Sequence, residues 1–171
     1  LRFNTMPKPR LKIIPLGGLS EIGKNMMVME YEDDIIIIDA GLMFPGEEMF
    51  GIDLVIPDIS YLLEKQNKIR GIVITHGHED HVGALPYLLP QLNIPVYSTK
   101  LSNGLIEIKL KERRALSGAD LNVVPFGKKI SLGKFVVEFF PVCHSIPDAA
   151  GLIIRTPVGI IVHSGDFKLD Y

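Results

Sequence analysis

Apolar and polar positions alternate in distinct ways along this chain. Over the first forty residues, runs of aliphatic and β-branched side chains predict strands at 11–16, 26–31 and 35–39. Between the first two lies Gly17-Gly18-Leu19-Ser20-Glu21-Ile22-Gly23-Lys24-Asn25. Its spacing fits neither the P-loop nor the dinucleotide fingerprint, so it is read as a tight loop between paired strands. Residues 42–57 have no period and are rich in Gly, Pro and acidic residues, which predicts an irregular loop. Ile59, Leu62, Leu63 and Ile69 fall on one stripe of a helix over 59–69. A strand at 72–75, a helix over about 80–92, a short strand at 96–98 and a helix over 102–114 follow. Pro86 and Pro90 are expected to bend or break the first of those helices. After Leu121 the pattern is strands and turns: 122–124, 129–132, 135–140, 152–156 and 160–163, the last two joined by a hairpin turn. Helices in the middle of the chain, flanked by antiparallel-looking strands, predict an α/β fold of two packed sheets with helices outside.

Composition narrows the class. A length of 171 residues, 47% of them hydrophobic and 22% charged, fits one soluble domain with a real core. The net charge of −2 gives no global basic field. The one basic cluster, Lys109, Lys111, Arg113 and Arg114, alternates with Glu107 and Glu112 and is read as a solvated helix face with intrahelical pairing. A single cysteine forbids a disulfide within the chain and favours a reducing compartment. That residue, Cys143, adjoins His144, but neighbours on a strand face opposite ways, so the expectation is a buried structural thiol. No run is long enough to span a membrane, and residues 1–7 lack the apolar core of a signal peptide. The localisation expected is cytoplasmic.

The chemistry concentrates in His76-Gly77-His78-Glu79-Asp80-His81, which holds three of the five histidines. On extended chain His76 and His78 reach the same side, whereas Asp80 and His81 come where a helix should begin and point elsewhere. One short segment can therefore feed two adjacent metal ions, an arrangement suited to two-metal hydrolysis. More donors are needed. His144 and Asp166 both follow strands, where a sheet edge presents them to a common cleft, and are taken as ligands. His163, on a strand, is assigned a packing or supporting role. Glu79 is a base or a surface residue. Asp39, after four isoleucines, is a turn former or a site residue, the two standing level on local grounds.

These residues resemble a known family. His76-x-His78-x-Asp80-His81, preceded by Asp39 and followed by His144 and Asp166, resembles the metallo-β-lactamase superfamily. The longer blocks Gly17 to Asn25, Asp39-Ala40-Gly41-Leu42-Met43-Phe44-Pro45, Thr75 to His81, His144-Ser145-Ile146-Pro147-Asp148 and Gly165-Asp166-Phe167-Lys168 look like ribonuclease J, in the β-CASP branch. Ser20 stands where that family is expected to carry glycine. The resemblance implies an αββα sandwich in which His76, His78 and His144 hold one zinc, Asp80 and His81 hold a second, and Asp166 bridges them. It implies three catalytic aspartates, Asp39, Asp80 and Asp166, with Asp39 orienting the ligands through hydrogen bonds. It further implies hydrolysis of RNA phosphodiester bonds by a two-metal-activated hydroxide, as a 5′–3′ exonuclease and endonuclease in RNA processing and decay. Manganese is the alternative to zinc. RNA is the partner implied, with a homo-oligomer or an RNA-degradation complex around the full-length protein and no membrane.

In that family a β-CASP domain and the rest of the sandwich follow at the point where this chain stops. The expectation is that residues 1–171 are the N-terminal portion of a metallo-β-lactamase domain, an incomplete sandwich. By itself this portion should be poor in metal at the second site, nearly inactive, and exposed along an apolar sheet face or edge. Two other functions compete. A small-molecule hydrolase of the same superfamily, a thioesterase or lactonase, would use the same ligands, and only the longer blocks argue against it. A non-catalytic RNA-binding or assembly subunit would not need all six candidate ligands.

Overall fold

Four consecutive isoleucines at 35–38 set the centre of the fold, because a strand apolar on both faces is stable only when both are covered. In the computed structural model, which describes residues 9–169, this run is β3 (Asp34–Ile38), buried along its whole length. The expectation about a leader segment at 1–7 lies outside the described residues. β1 (Leu11–Gly17), β2 (Met26–Tyr31) and β3 pair antiparallel in sequence. β3, β4 (Ile69–Val73), β5 (Val96–Ser98) and β6 (Leu121–Val123) pair in parallel and complete a six-stranded sheet in sequence order. The second sheet has four antiparallel strands in the order β10-β9-β8-β7: β7 (Lys129–Leu132), β8 (Phe135–Pro141), β9 (Ala150–Thr156) and β10 (Gly159–His163).

Alternation along β3 sorts the core into two layers. Ile35 and Ile37 join Val28, Ile72 and Ile74 under the helices α1 (Ser60–Leu63), α2 (Glu79–Val82), α3 (Leu85–Leu92) and α4 (Lys100–Glu112). Ile36 and Ile38 face the other way, with Met29 and Val73, onto Phe135, Val137, Phe139, Leu152 and Ile154 of the second sheet. Phe135 and Phe139 are fully buried between the sheets, so truncating either to Ala should cost about 3–5 kcal/mol. The expected two-sheet α/β sandwich is thus present, with helices over the outer face of the first sheet. The outer face of the second carries Val136, Phe140, Ile153, Ile160 and Val162, and no helix among the described residues covers it.

Several boundaries differ from expectation for physical reasons. The helix over 59–69 is only α1 and a 3₁₀ turn (Gln66–Lys68), because Ile69 pairs with Ile35 and opens β4. Strand β4 accordingly begins three residues before the expected 72, and Thr75 is left to the turn beyond it. The helix over 80–92 does break, but at Gly83-Ala84, where Ala84 N donates to Ala40 O at 2.9 Å instead of continuing α2. The prolines are not the cause. Pro86 lies in the first turn of α3, where a missing N–H has no helical partner to lose, and Pro90 is carried within the helix. The loop at 42–57 is irregular as expected, tied by one bridge between Met43 and Val55.

Candidate metal centre

The site is assembled where β3 and β4 end side by side. Asp39 N donates to Val73 O at 3.0 Å, which carries the parallel pairing one residue beyond the strands. Asp39 then turns at φ +60, a left-handed conformation that Asp tolerates better than most residues. The turn aims its buried carboxylate at the segment after β4. Thr75 N donates to Asp39 Oδ1 at 2.7 Å, and Thr75 Oγ1 donates to Oδ2 at 2.8 Å. Backbone bonds lock the same two segments together: Ala40 N to His81 O at 2.7 Å and Leu42 N to Glu79 O at 3.1 Å. At Gly41 the approach is so close that a Cβ would overlap the Asp80 carbonyl oxygen. That close packing requires glycine.

All six candidate ligands converge. His76 and His78 face the same side, with His76 Nε2 at 3.0 Å from His78 Nδ1. His144, delivered by the loop after β8, brings Nε2 to 3.3 Å from the same His78 nitrogen. One ligand atom each from His76, His78 and His144 forms a group within 4.8 Å, and His76, His81 and Asp166 form another. Asp80 Oδ2 is 3.5 Å from His81 Nε2. Asp166 Oδ2 lies 3.5 Å from His81 Nε2 and 3.8 Å from His144 Nε2, between the two groups. His81 does not point away from His76; their ring centroids are 4.0 Å apart.

The donor chemistry fits a metal. Imidazole nitrogens turned toward one another repel unless one carries a proton or a cation lies among them. The outward-facing atoms are also fixed. His81 Nδ1 donates to Asp39 Oδ2 at 2.8 Å, which presents Nε2 to Asp80 and Asp166, the way ligating histidines are commonly oriented. His76 Nδ1 is 3.1 Å from Thr75 Oγ1.

Burial and charge split the titration of these groups. Burial would lower the His81 pKa, but the Asp39 charge and hydrogen bond, with help from Asp80, push it up to about 10. Burial, followed by the charge on His81, pushes His76 down to about 4. Burial would raise Asp39, yet the His81 charge and the hydrogen bonds from His81 and Thr75 hold it below its ordinary range. Asp80 is held low chiefly by its hydrogen bond with His81.

The remaining residues sort plainly. His163 accepts from Gly165 N through Nδ1 at 3.1 Å and braces the turn that delivers Asp166, in keeping with a supporting role. Glu79 pairs with Lys109 across to α4, at the surface. Lys111 pairs with Glu107 one turn away, and Arg113 lies over the Tyr87 ring, so the basic cluster behaves largely as a solvated helix face. The expectation of a buried Cys143 is wrong: β8 ends at Pro141, and the thiol sits exposed on the loop that follows, where alternation no longer applies. Sequence reasoning missed Thr75 and Asn25 as partners of the cluster. Asn25 Nδ2 reaches Asp80, and the only sequence signal for it is its position at the end of the glycine-rich loop.

Residues 20–170 match the Metallo-beta-lactamase superfamily. A ribonuclease J of Synechocystis is 50% identical over 163 residues, 94% of this chain and 26% of that protein. Ribonuclease J of Thermus thermophilus is 47% identical over 171 residues, covering 96% of this chain and 30% of that protein. The chain therefore spans between a quarter and a third of the length of these relatives. Among solved structures, a protein of unknown function from Enterococcus faecalis superposes with a TM-score of 0.72 at 20% identity, over 93% of this chain and 44% of that one. The metallo-beta-lactamase fold protein YhfI from Bacillus subtilis gives 0.63 at 14% identity, over 92% and 63%. At those identities the likeness is one of fold.

Proposed function

Because the chain belongs to the metallo-beta-lactamase superfamily, we propose that its histidine and aspartate cluster is most of the active site of a metal-dependent ribonuclease. The observation that carries this reading is the pair of adjoining donor groups, His76/His78/His144 and His76/His81/Asp166, in a chain about half identical to ribonuclease J proteins. His76, His78 and His144 would hold one ion, Asp80 and His81 a second, and Asp166 would lie between them. Zinc suits this mixture of imidazole and carboxylate, and manganese is the second choice. When bound, two such ions would supply Lewis acidity that activates water for attack on phosphorus and offsets charge on the phosphoryl oxygens.

The chain's own residues do the rest. Asp39 holds His81 in the tautomer that presents Nε2, and Thr75 holds Asp39. The turn at Ser164-Gly165 keeps Asp166 close to both His81 and His144. The reaction is hydrolysis of RNA phosphodiester bonds, from the 5′ end and internally, in RNA processing and decay. No helix among the described residues is long and apolar enough to cross a membrane. We assign the protein to the cytoplasm, acting on RNA as a homo-oligomer or within a degradation complex. Further chain, as in the longer relatives, would complete the metallo-β-lactamase domain and add the β-CASP domain.

Full-length protein with 5′-labelled single-stranded RNA tests this. Cleavage restored by zinc or manganese after chelation, and lost in His76→Ala, is the expected outcome. Turnover of a thioester or lactone with no cleavage of RNA would replace the reading by that of a small-molecule hydrolase.

A further inference from the structure

The glycine-rich loop after β1 matches no phosphate-binding pattern, yet its last residue touches the cluster. Asn25 Nδ2 donates to Asp80 Oδ2 at 3.1 Å and lies 3.2 Å from His81 Nε2. A carboxylate only accepts, so the amide nitrogen, not its oxygen, must face Asp80. The backbone of Asn25 is itself held on two sides. Asn25 N donates to Asp80 O, and Gly41 N to Asn25 O, each at 3.0 Å. On the far side, Gly18 turns at φ +83 directly against Asn25 Oδ1, where a Cβ would come within 2.5 Å. Gly18 thereby gives the carboxamide its slot.

Asp80 needs such a restraint. It sits in the first turn of α2, partly exposed, on a short side chain beside His81. Free to rotate, its carboxylate has other staggered rotamers open to it, toward solvent and away from the cluster. We infer that Asn25 is a positioning residue, which tethers Asp80 by Oδ2 and so holds its carboxylate beside His81 Nε2, in place as a ligand of the second ion. The inference rests on the metal-site reading above. A ligand fixed before the ion arrives loses less freedom on binding, and removal of such a partner typically weakens metal affinity about 10–100-fold.

The test is zinc titration of chelator-stripped full-length protein by calorimetry, with cobalt(II) absorption reporting the coordination of each site. Wild type is compared with Asn25→Ala and the near-isosteric Asn25→Leu. The expected result is two ions in wild type and, in both variants, a second ion weakened about 10–100-fold. The first ion and the melting temperature of the metal-free protein should be unchanged. Two ions bound with wild-type affinity by either folded variant would overturn the role of Asn25 and leave the metal site standing. Loss of both ions together with the metal-free fold in both variants would make Asn25 merely structural, which also overturns it. A wild-type protein that binds no ion would remove the metal-site reading itself.

Discussion

Two histidines of one six-residue segment titrate in opposite directions, and Asp39 is the reason. It accepts from His81 but not from His76, so only His81 gains a partner that outweighs the effect of burial. Raised to about 10 from an ordinary 6.5, the His81 imidazolium stabilises the metal-free fold fully below about pH 6.5. That contribution is lost as pH rises toward 10. An ion at His81 Nε2 must expel this proton, whereas His76, lowered to about 4, is already neutral at pH 7. Zinc affinity of the second site should therefore climb about tenfold per pH unit between about pH 6.5 and 8.5, with release of about one proton. Calorimetry in buffers of different ionisation enthalpy measures both quantities. Asp39→Asn keeps the shape and removes the charge. It should flatten this pH dependence, weaken the second ion about 10–100-fold, and lower unfolding stability in urea by about 1–3 kcal/mol. Sequence alone left Asp39 between a turn former and a site residue; in the structure it makes the turn, and the same φ of +60 aims its carboxylate at Thr75 and His81. Asn25 was not legible in the same way, because its role depends on a contact 55 residues away that no local spacing encodes.

At the level of elements, what could be read depended on whether one residue's neighbours or a distant strand decided the outcome. The isoleucine run of β3 and the alternating strands of the second sheet were plain, since burial on two faces or on one leaves a direct mark on the pattern. The end of the 59–69 helix was not, because pairing of Ile69 with Ile35 overrides a helical stripe. Glycines separate the two cases experimentally. Gly104 lies within α4 with open space where a Cβ would go, so Gly104→Ala should stabilise the protein by about 0.5–1 kcal/mol through helix propensity alone. Gly41→Ala would drive a Cβ into the backbone oxygen of Asp80, which is fixed in α2 and bonded to Asn25 N. It should cost at least 3 kcal/mol, roughly the range of severe core strain, and lower zinc affinity with it. Thermal melts of the two variants, with and without zinc, should move in opposite directions.

The whole molecule is joined at the site. His76, His78, Asp80 and His81 hang from the end of β4 in the first sheet, while His144 and Asp166 follow β8 and β10 in the second. Away from the buried layer between the sheets, the polar links at this end include Ala150 N to Thr75 O and Thr99 Oγ1 to Asp148 O, each at 2.9 Å. A metal held by His76, His78 and His144 would therefore act as a clasp between two sheets. It would matter more because the second sheet lacks helical cover on its outer face among the described residues, where Ile160 and Val162 are 66% and 65% exposed. Binding to the folded state alone stabilises by about 2.7 kcal/mol when free metal stands at a hundred times its dissociation constant. Chelation should accordingly lower the melting temperature, and the loss should be uneven. Amide exchange is expected to quicken at 142–149 and 164–168, the loops that carry His144 and Asp166, while β2, β3 and β4 keep their protection. Exchange followed by mass spectrometry, with and without chelator, distinguishes this clasp from a site that merely sits on a finished fold: uniform or absent change across both sheets would exclude it.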